Sequence, residues 1–322
     1  SDRQNADRFG HTVDISGNTI VVGGNGDDID GNNLQGSAYI FIEPETGWVD
    51  DTEDAKLSTP DTADGKRFGH SVSIDGDTIV VGPEFNNSAY VYVEPEGGWA
   101  TMTEATAKLI SSTEGYIGLG RAVSIEGDTI AVGAEDHQIG ENESQGSVHV
   151  YVKPVGGWTG EITQTAVLTG SDGLADDDLG ISVRIDNNII VAGAVHYTDE
   201  EDTPGRAYVF VKPEGGWADM TQFVKLTPAN SINSDGFGRA VDISGDFVIV
   251  ATFETNTAHI FEATEPTVAN ADATTMSEDA PATVIPVLAN DAGDNLNVTA
   301  IDTTGTTGQV TLNAGVVSYA PN

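Results

Sequence analysis

Five copies of one unit constrain this chain more than any other feature. Phe9-Gly10, Phe68-Gly69, Leu119-Gly120, Leu179-Gly180 and Phe237-Gly238 recur at spacings of 59, 51, 60 and 58 residues. Trp48, Trp99, Trp158 and Trp217 keep the same rhythm, each directly after a glycine, and the fifth copy lacks its tryptophan. A unit of this size cannot bury an apolar face alone, so neighbouring copies must stack into a continuous core.

Inside the unit the hydrophobic period is two. Val13 and Ile15 alternate with polar residues, as do Val72/Ile74, Val123/Ile125, Val183/Ile185 and Val241/Ile243, the pattern of a half-buried strand. Tight turns follow at Gly17-Asn18, Gly76-Asp77, Gly127-Asp128, Asn187-Asn188 and Gly245-Asp246, residue types that accept the positive φ of a two-residue hairpin. The next run, Thr19 to Gly23 and its copies, is apolar on both faces. Ser37 to Ile42 and its echoes supply a third strand, and Ala55-Lys56-Leu57 or Ala107-Lys108-Leu109 a fourth. Four antiparallel strands per unit, with no helical period, predict an all-β fold: a β-propeller of four-stranded blades over residues 1–264, in which radial repetition removes long exposed edges. Five repeats are visible, and they either close a small ring or form part of a larger, seven-bladed one.

Charge narrows the partners. The 322 residues include 13 Lys+Arg against 51 Asp+Glu, a formal net charge of −38. Phosphate backbones and anionic membranes repel such a surface, which excludes nucleic acid and direct membrane insertion as expectations. With 38% hydrophobic residues the chain still has a core to bury, so the acidity reads as a solvated surface. No apolar run approaches the roughly 18 residues of a spanning helix. The opening Ser1-Asp2-Arg3-Gln4-Asn5 has no signal-peptide character, so the sequence reads as a mature soluble segment. Zero Cys removes disulfides, thiol catalysis and Cys-ligated zinc.

The string from Arg8 to Gly23, followed by Gly36 to Phe41, resembles the bacterial and archaeal branch of the FG-GAP repeats, named for motifs of integrin α-subunit propellers. Copies at 68–92, 119–151, 179–210 and 237–261 extend the resemblance. Two departures limit what it implies. The tight first turn lacks the Asp-x-Asp-x-Asp-Gly loop of calcium-binding integrin repeats, and the third motif element is eroded to Val81-Gly82-Pro83 and Val132-Gly133-Ala134. From Pro266 the composition shifts to Thr, Ala, Asn and Asp. Thr267 to Asp272, Ser277-Glu278-Asp279, Val287 to Asp291 and Val316 to Asn322 resemble cadherin-like or Ig-like modules of large bacterial surface proteins. Residues 265–322 are therefore expected to form a partial β-sandwich, truncated or completed by another chain.

Calcium is the expected cofactor. Asn25, Asp27, Asp28, Asp30 and Asn32 crowd oxygens around glycines, as a flexible six-to-eight-oxygen site requires. The loops holding Glu135, Asp136, Glu141 and Glu143, and Asp199 to Asp202, are also acidic. A second acidic set precedes the Phe-Gly element, with Asp172, Asp176 and Asp178 its densest part. Short carboxylates there can equally cap free backbone amides. In the C-terminal module the resemblance implies Asp272, Glu278 and Asp291 as interdomain calcium ligands.

No catalytic constellation stands out. The six histidines, at 11, 70, 137, 149, 196 and 259, lack zinc-ligand spacing, and no nucleophile elbow or phosphate loop is present. His11 and His70 share a repeat position with Arg121 and Arg239, which reads as structural. The tryptophans read as inter-blade packing anchors. Ligand sites are expected in the loops at 24–36, 134–146 and 194–205, held by a rigid scaffold. The expected function is an extracellular, non-enzymatic adhesion or cell-surface module that binds a glycan or the surface protein of another cell. A filament or sheath subunit assembled by strand complementation through the C-terminal module is the alternative, and a secreted hydrolase a third.

Overall fold

The computed structural model describes residues 7–29, 31–48, 52–61, 65–196, 205–228, 236–253, 255–262, 281–285, 309–313 and 316–320. The chain divides into two units, Ser1–Phe261 and Glu262–Asn322.

The first unit contains five successive antiparallel blades. The innermost strands are Phe9–Ser16, Ser71–Asp75, Leu119–Glu126, Ser182–Asp186 and Ala240–Ser244, and each turns tightly into a second strand: Thr19–Gly24, Thr78–Gly82, Thr129–Ala134, Ile189–Ala194 and Phe247–Ala251. Third strands follow at Ser37–Ile42, Ala89–Val93, Ser147–Val152, Arg206–Val211 and Ala258–Glu262. Blades 1 to 4 add an outer strand, Ala55–Leu57, Ala107–Ile110, Ala166–Thr169 and Val224–Leu226. The expected four-strand blade needs correction at three places. Blade 5 has three strands among the described residues, and blades 2 and 3 have five. The added strands come from the next blade: Gly160–Thr163 pairs parallel with Ala107–Ile110, and Met220–Thr221 with Ala166–Thr169. A parallel bridge from Met102 to Leu57 begins the same exchange between blades 2 and 1.

Each exchanged segment follows a tryptophan, and burial of that side chain supplies the packing. Trp99 lies with Val21, Ile40 and Leu57 of blade 1, Trp158 with Val80, Val91 and Leu109 of blade 2, and Trp217 with Ala131, Val150 and Leu168 of blade 3. The three apolar clusters therefore sit between blades, as expected for the tryptophans as packing anchors. Polar links repeat alongside. Asp14 Oδ2 accepts from Ser73 Oγ and the Ile74 N–H, both at 2.9 Å, while Ser73 and Ser124 accept from the Ile125 and Ile185 amides. At every hairpin the last inner-strand side chain of one blade accepts the turn amide of the next, in the pairs Ser16–Gly76, Asp75–Gly127, Glu126–Asn187 and Asp186–Gly245. Part of the acidic composition thus caps backbone donors that tight turns leave free.

The stack is open at both ends. Second strands of blades 2 to 4 are buried on both faces, whereas in Phe247–Ala251 burial alternates. Ile260, equivalent to Val209, is 72% exposed against 4%. On the opposite side of the stack, Val13, Ile15 and Trp48 of blade 1 are exposed. The five blades accordingly form an arc whose last and first faces do not pack on each other.

The second unit shows one antiparallel three-stranded sheet, with Val316–Ala320 between Thr283–Ile285 and Gln309–Asn313.

Candidate functional site

Because strands alternate in direction, the start of each inner strand and the connection from second to third strand meet at one face of the arc. The loops 24–36 and 134–146 of blades 1 and 3 are built alike there. Each carries a small antiparallel bridge, Ile29–Asn32 and Ile139–Asn142, and each docks on the following blade through Gly36–Phe68 or Gly146–Leu179. Gln35 and Gln145 hold the loops from beneath, donating to the Thr59 and Gly170 carbonyls and accepting from Asn32 and Asn142. Gly36 allows the close approach: a Cβ there would lie 2.0 Å from the Phe68 carbonyl oxygen. Most of the predicted loop 194–205 lies outside the described residues.

At the centre of this face the inner strands converge on a cavity of about 170 Å³, lined by Thr12, Ser71, Arg121, Ser182, Arg184 and Arg239 among others. His11 and His70 stand at its rim with ring centroids 4.8 Å apart. Arg67 Nη1 contacts Glu84 Oε2 at 2.5 Å, and Arg121 Nη1 contacts Glu135 Oε1 at 2.6 Å. The other Glu135 oxygen is buried with no hydrogen-bond partner, and burial raises its carboxyl above the ordinary range despite Arg121. Burial lowers both histidines, His70 to about 4, so at neutral pH they are uncharged. The Asn25 amide donates to His70 Nδ1 at 3.2 Å, consistent with an unprotonated nitrogen there.

A second polar cluster lies under blade 4. The buried Asp177 meets His196 Nδ1 at 2.8 Å, Arg206 Nη1 at 3.2 Å and the Leu174 N–H at 2.7 Å. Asp172 completes it, accepting from Tyr208 OH at 2.9 Å and pairing with Lys225 at 2.6 Å. Buried charges of this kind require such satisfaction.

Of the predicted calcium ligands, Asp27 and Asp28 already meet protein donors. Asp27 accepts from Ser37 Oγ and Tyr39 OH and pairs with Lys56 at 3.1 Å. Asp28 Oδ1 accepts the Leu34 N–H at 2.8 Å, the Asn32 amide donates to Gln35, and Asn25 Oδ1 is buried without a partner. The first loop therefore draws its order from protein donors. Asp176 and Asp178 both adopt positive φ, and Asp178 is pushed up to about 7 by burial and by Glu135, Asp136 and Asp176. Among the described residues no three acidic or histidine side chains form a ready metal-holding group. Asp30, Asp272, Glu278 and Asp291 lie outside the described residues. The axial arginines were not among the predicted site residues. Their signal was a repeat position, after Phe-Gly, that stays basic or histidine in four of five copies of an acidic chain.

The chain matches the FG-GAP repeat over residues 1–41, 52–92, 162–210 and 220–259, and the bacterial Ig domain over residues 264–322. Blade 3 falls largely between the matched segments yet has the same strand order. No curated protein matches the chain. Among solved structures, a protein from Lactobacillus plantarum is 16% identical with a TM-score of 0.50, covering 76% of this chain and 64% of that one. A candidate 6-phosphogluconolactonase from Bacteroides fragilis NCTC 9343 is 15% identical with a TM-score of 0.49, covering 78% and 65%. The chain thus spans less than two thirds of either, and the likeness to the Lactobacillus plantarum protein, at such identity, speaks for fold alone.

Proposed function

This chain belongs to the FG-GAP repeat family, and from that premise we propose that it is an extracellular surface module that binds a glycan or a surface protein through the loop face of its blades. One observation carries the reading: two loops of the same build, on blades 1 and 3, are each pinned to the following rigid blade around one axial mouth, and binding residues work best when a scaffold holds them in place. The pairing of repeat blades with a bacterial Ig domain supports the extracellular setting. The module is a binder and not an enzyme in this reading, because Asp27, Asp177 and one oxygen of Glu135 are engaged by neighbouring side chains of the fold. Calcium in this reading binds the acidic loops by recruiting backbone carbonyls and water around single carboxylates such as Asp178, since no three described acidic or histidine side chains stand clustered for it. The test is binding of labelled protein to a glycan array and to intact cells. A variant with loops 24–36 and 134–146 replaced by the short blade 2 connection, Pro83 to Ser88, is expected to lose binding. Retention by that variant overturns the loop-face assignment, and turnover of a polysaccharide or ester by the parent overturns the non-enzymatic reading.

Self-association into a filament or sheath is a second reading, favoured by the exposed apolar ends at Trp48 and Ile260, since contiguous apolar surface marks an interaction site. Sedimentation velocity should show mass rising with concentration in the parent and a constant monomer in Trp48→Asp/Ile260→Asp. A constant monomer in the parent sinks this reading.

A further inference from the structure

We propose that the axial mouth binds an acidic saccharide, with Arg239 and Arg121 taking its carboxylate or sulfate and Tyr116 and Phe85 offering ring faces to the sugar. The assignment rests on the loop-face reading above and names its ligand class.

The distribution of cations is the first argument. Arg8, Arg67, Arg121, Arg184 and Arg239 are five of only seven arginines in a chain of net charge −38. Arg121, Arg184 and Arg239 line the axial cavity, while Arg8 and Arg67 act electrostatically on His11 at its rim. A chain with so few cations has gathered most of its arginines in one place. Three of them are held in part by carboxylates, Arg67 by Glu84, Arg184 by Asp242 at 3.5 Å and Arg121 by Glu135. Arg121 uses only Nη1 in that contact, and a guanidinium carries five N–H donors. Arg239 is exposed and makes no ion pair with a described residue, so its charge is available to an incoming anion. The planar donor fork suits a carboxylate or sulfate.

Cavity size and rim chemistry select the rest. About 170 Å³ holds roughly five to six water volumes, room for one charged head but not for a polymer residue, which must lie across the mouth. Phe85 is exposed there beside the Arg67 guanidinium, 5.1 Å from its ring centroid. Tyr116 is also exposed, within electrostatic reach of Arg121, Glu135 and Glu84. Aromatic faces next to bidentate cations match a sugar ring carrying an acid. The remote acidic surface does not cancel the site at physiological salt, where the screening length is about 8 Å.

Isothermal titration of the whole chain at 0.15 M salt and pH 7.5 tests this, with digalacturonate as probe. The uronate should bind at least tenfold tighter than the neutral galactose disaccharide. Arg239→Gln should weaken it at least fivefold with an unchanged melting temperature, and Tyr116→Ala should weaken it while leaving the fold intact. Equal affinity for the neutral disaccharide, for inorganic sulfate or for triglutamate would overturn the saccharide assignment, as would full affinity in Arg239→Gln. Cell or glycan binding that depends on the loops but ignores digalacturonate overturns this inference alone and leaves the loop-face reading standing.

Discussion

Gly193 of blade 4 and Gly238 of blade 5 touch: a methyl group on Gly193 would lie 1.8 Å from the Gly238 carbonyl oxygen. The same contact joins Gly23 to Gly69, Gly82 to Gly120 and Gly133 to Gly180, so the glycine at the fifth position of each second strand and the glycine of the next Phe-Gly element are two halves of one backbone contact. In blade 5 the equivalent residue is Ala251, on an end face that no further blade covers. Gly193→Ala is therefore expected to cost about 3 kcal/mol or more through overpacking, while Ala251→Gly costs no more than about 1 kcal/mol from backbone entropy. Urea midpoints at constant m-value check both, and equal losses would refute the contact.

Trp158 and Trp48 occupy one repeat position but are 1% and 45% exposed. Truncating a fully buried tryptophan costs roughly 3–5 kcal/mol, so Trp158→Ala should shift the thermal midpoint by many degrees. Trp48→Ala should stay within about 1 kcal/mol of the parent, because it has no preceding blade to pack on. A large loss in Trp48→Ala would mean that the first blade's open face is covered in solution.

His149 gives the acid limb of stability. Its two ring nitrogens are buried without partners, and burial lowers it to about 3, with His137 adding to the effect. The unfolded chain then takes up a proton below about pH 6.5 that the folded chain refuses. Stability is complete above that pH and falls as pH drops toward 3, by up to about 1.4 kcal/mol per pH unit from this residue. In His149→Phe the slope of stability against pH between 6 and 4 should flatten. An unchanged slope would assign the acid sensitivity elsewhere.

Much of the arc was legible because its signals are local. Alternation at Val13 and Ile15 and the Gly17-Asn18 turn act within a few residues, and the tryptophan rhythm follows from one packing rule applied repeatedly. The exchanged strand Gly160–Thr163 was not legible, because its partner Ala107–Ile110 is distant in sequence and the pairing is parallel. The axial site escaped for a related reason. Arg121 and Arg239 are ordinary surface positions in a linear reading, and only radial convergence brings them to one cavity. The acidic first loop is legible in sequence only as a set of residue types. Asp27 has the right type for a calcium ligand, and Lys56, Ser37 and Tyr39 from neighbouring strands all meet its Oδ2.

Asp178 sets the alkaline limb and also tests for calcium. Its backbone φ is 53°, a conformation asparagine tolerates, so Asp178→Asn changes the charge without straining the turn. With its carboxyl pushed up to about 7 by burial and by Glu135, Asp136 and Asp176, the folded chain holds a proton that the unfolded chain loses near pH 4. Stability from this residue is present below about pH 4 and is lost as pH rises toward 7, the reverse of His149. Without calcium, Asp178→Asn should therefore melt several degrees above the parent at pH 8 and together with it at pH 4. A cation binding the folded state alone raises the midpoint, and it needs the ionised carboxylate. Millimolar calcium at fixed ionic strength should thus stabilise the parent at pH 8, and do so less at pH 5 and less in Asp178→Asn. A calcium response identical in the variant would remove Asp178 from the site, and no response in the parent would leave the acidity as surface charge and backbone capping.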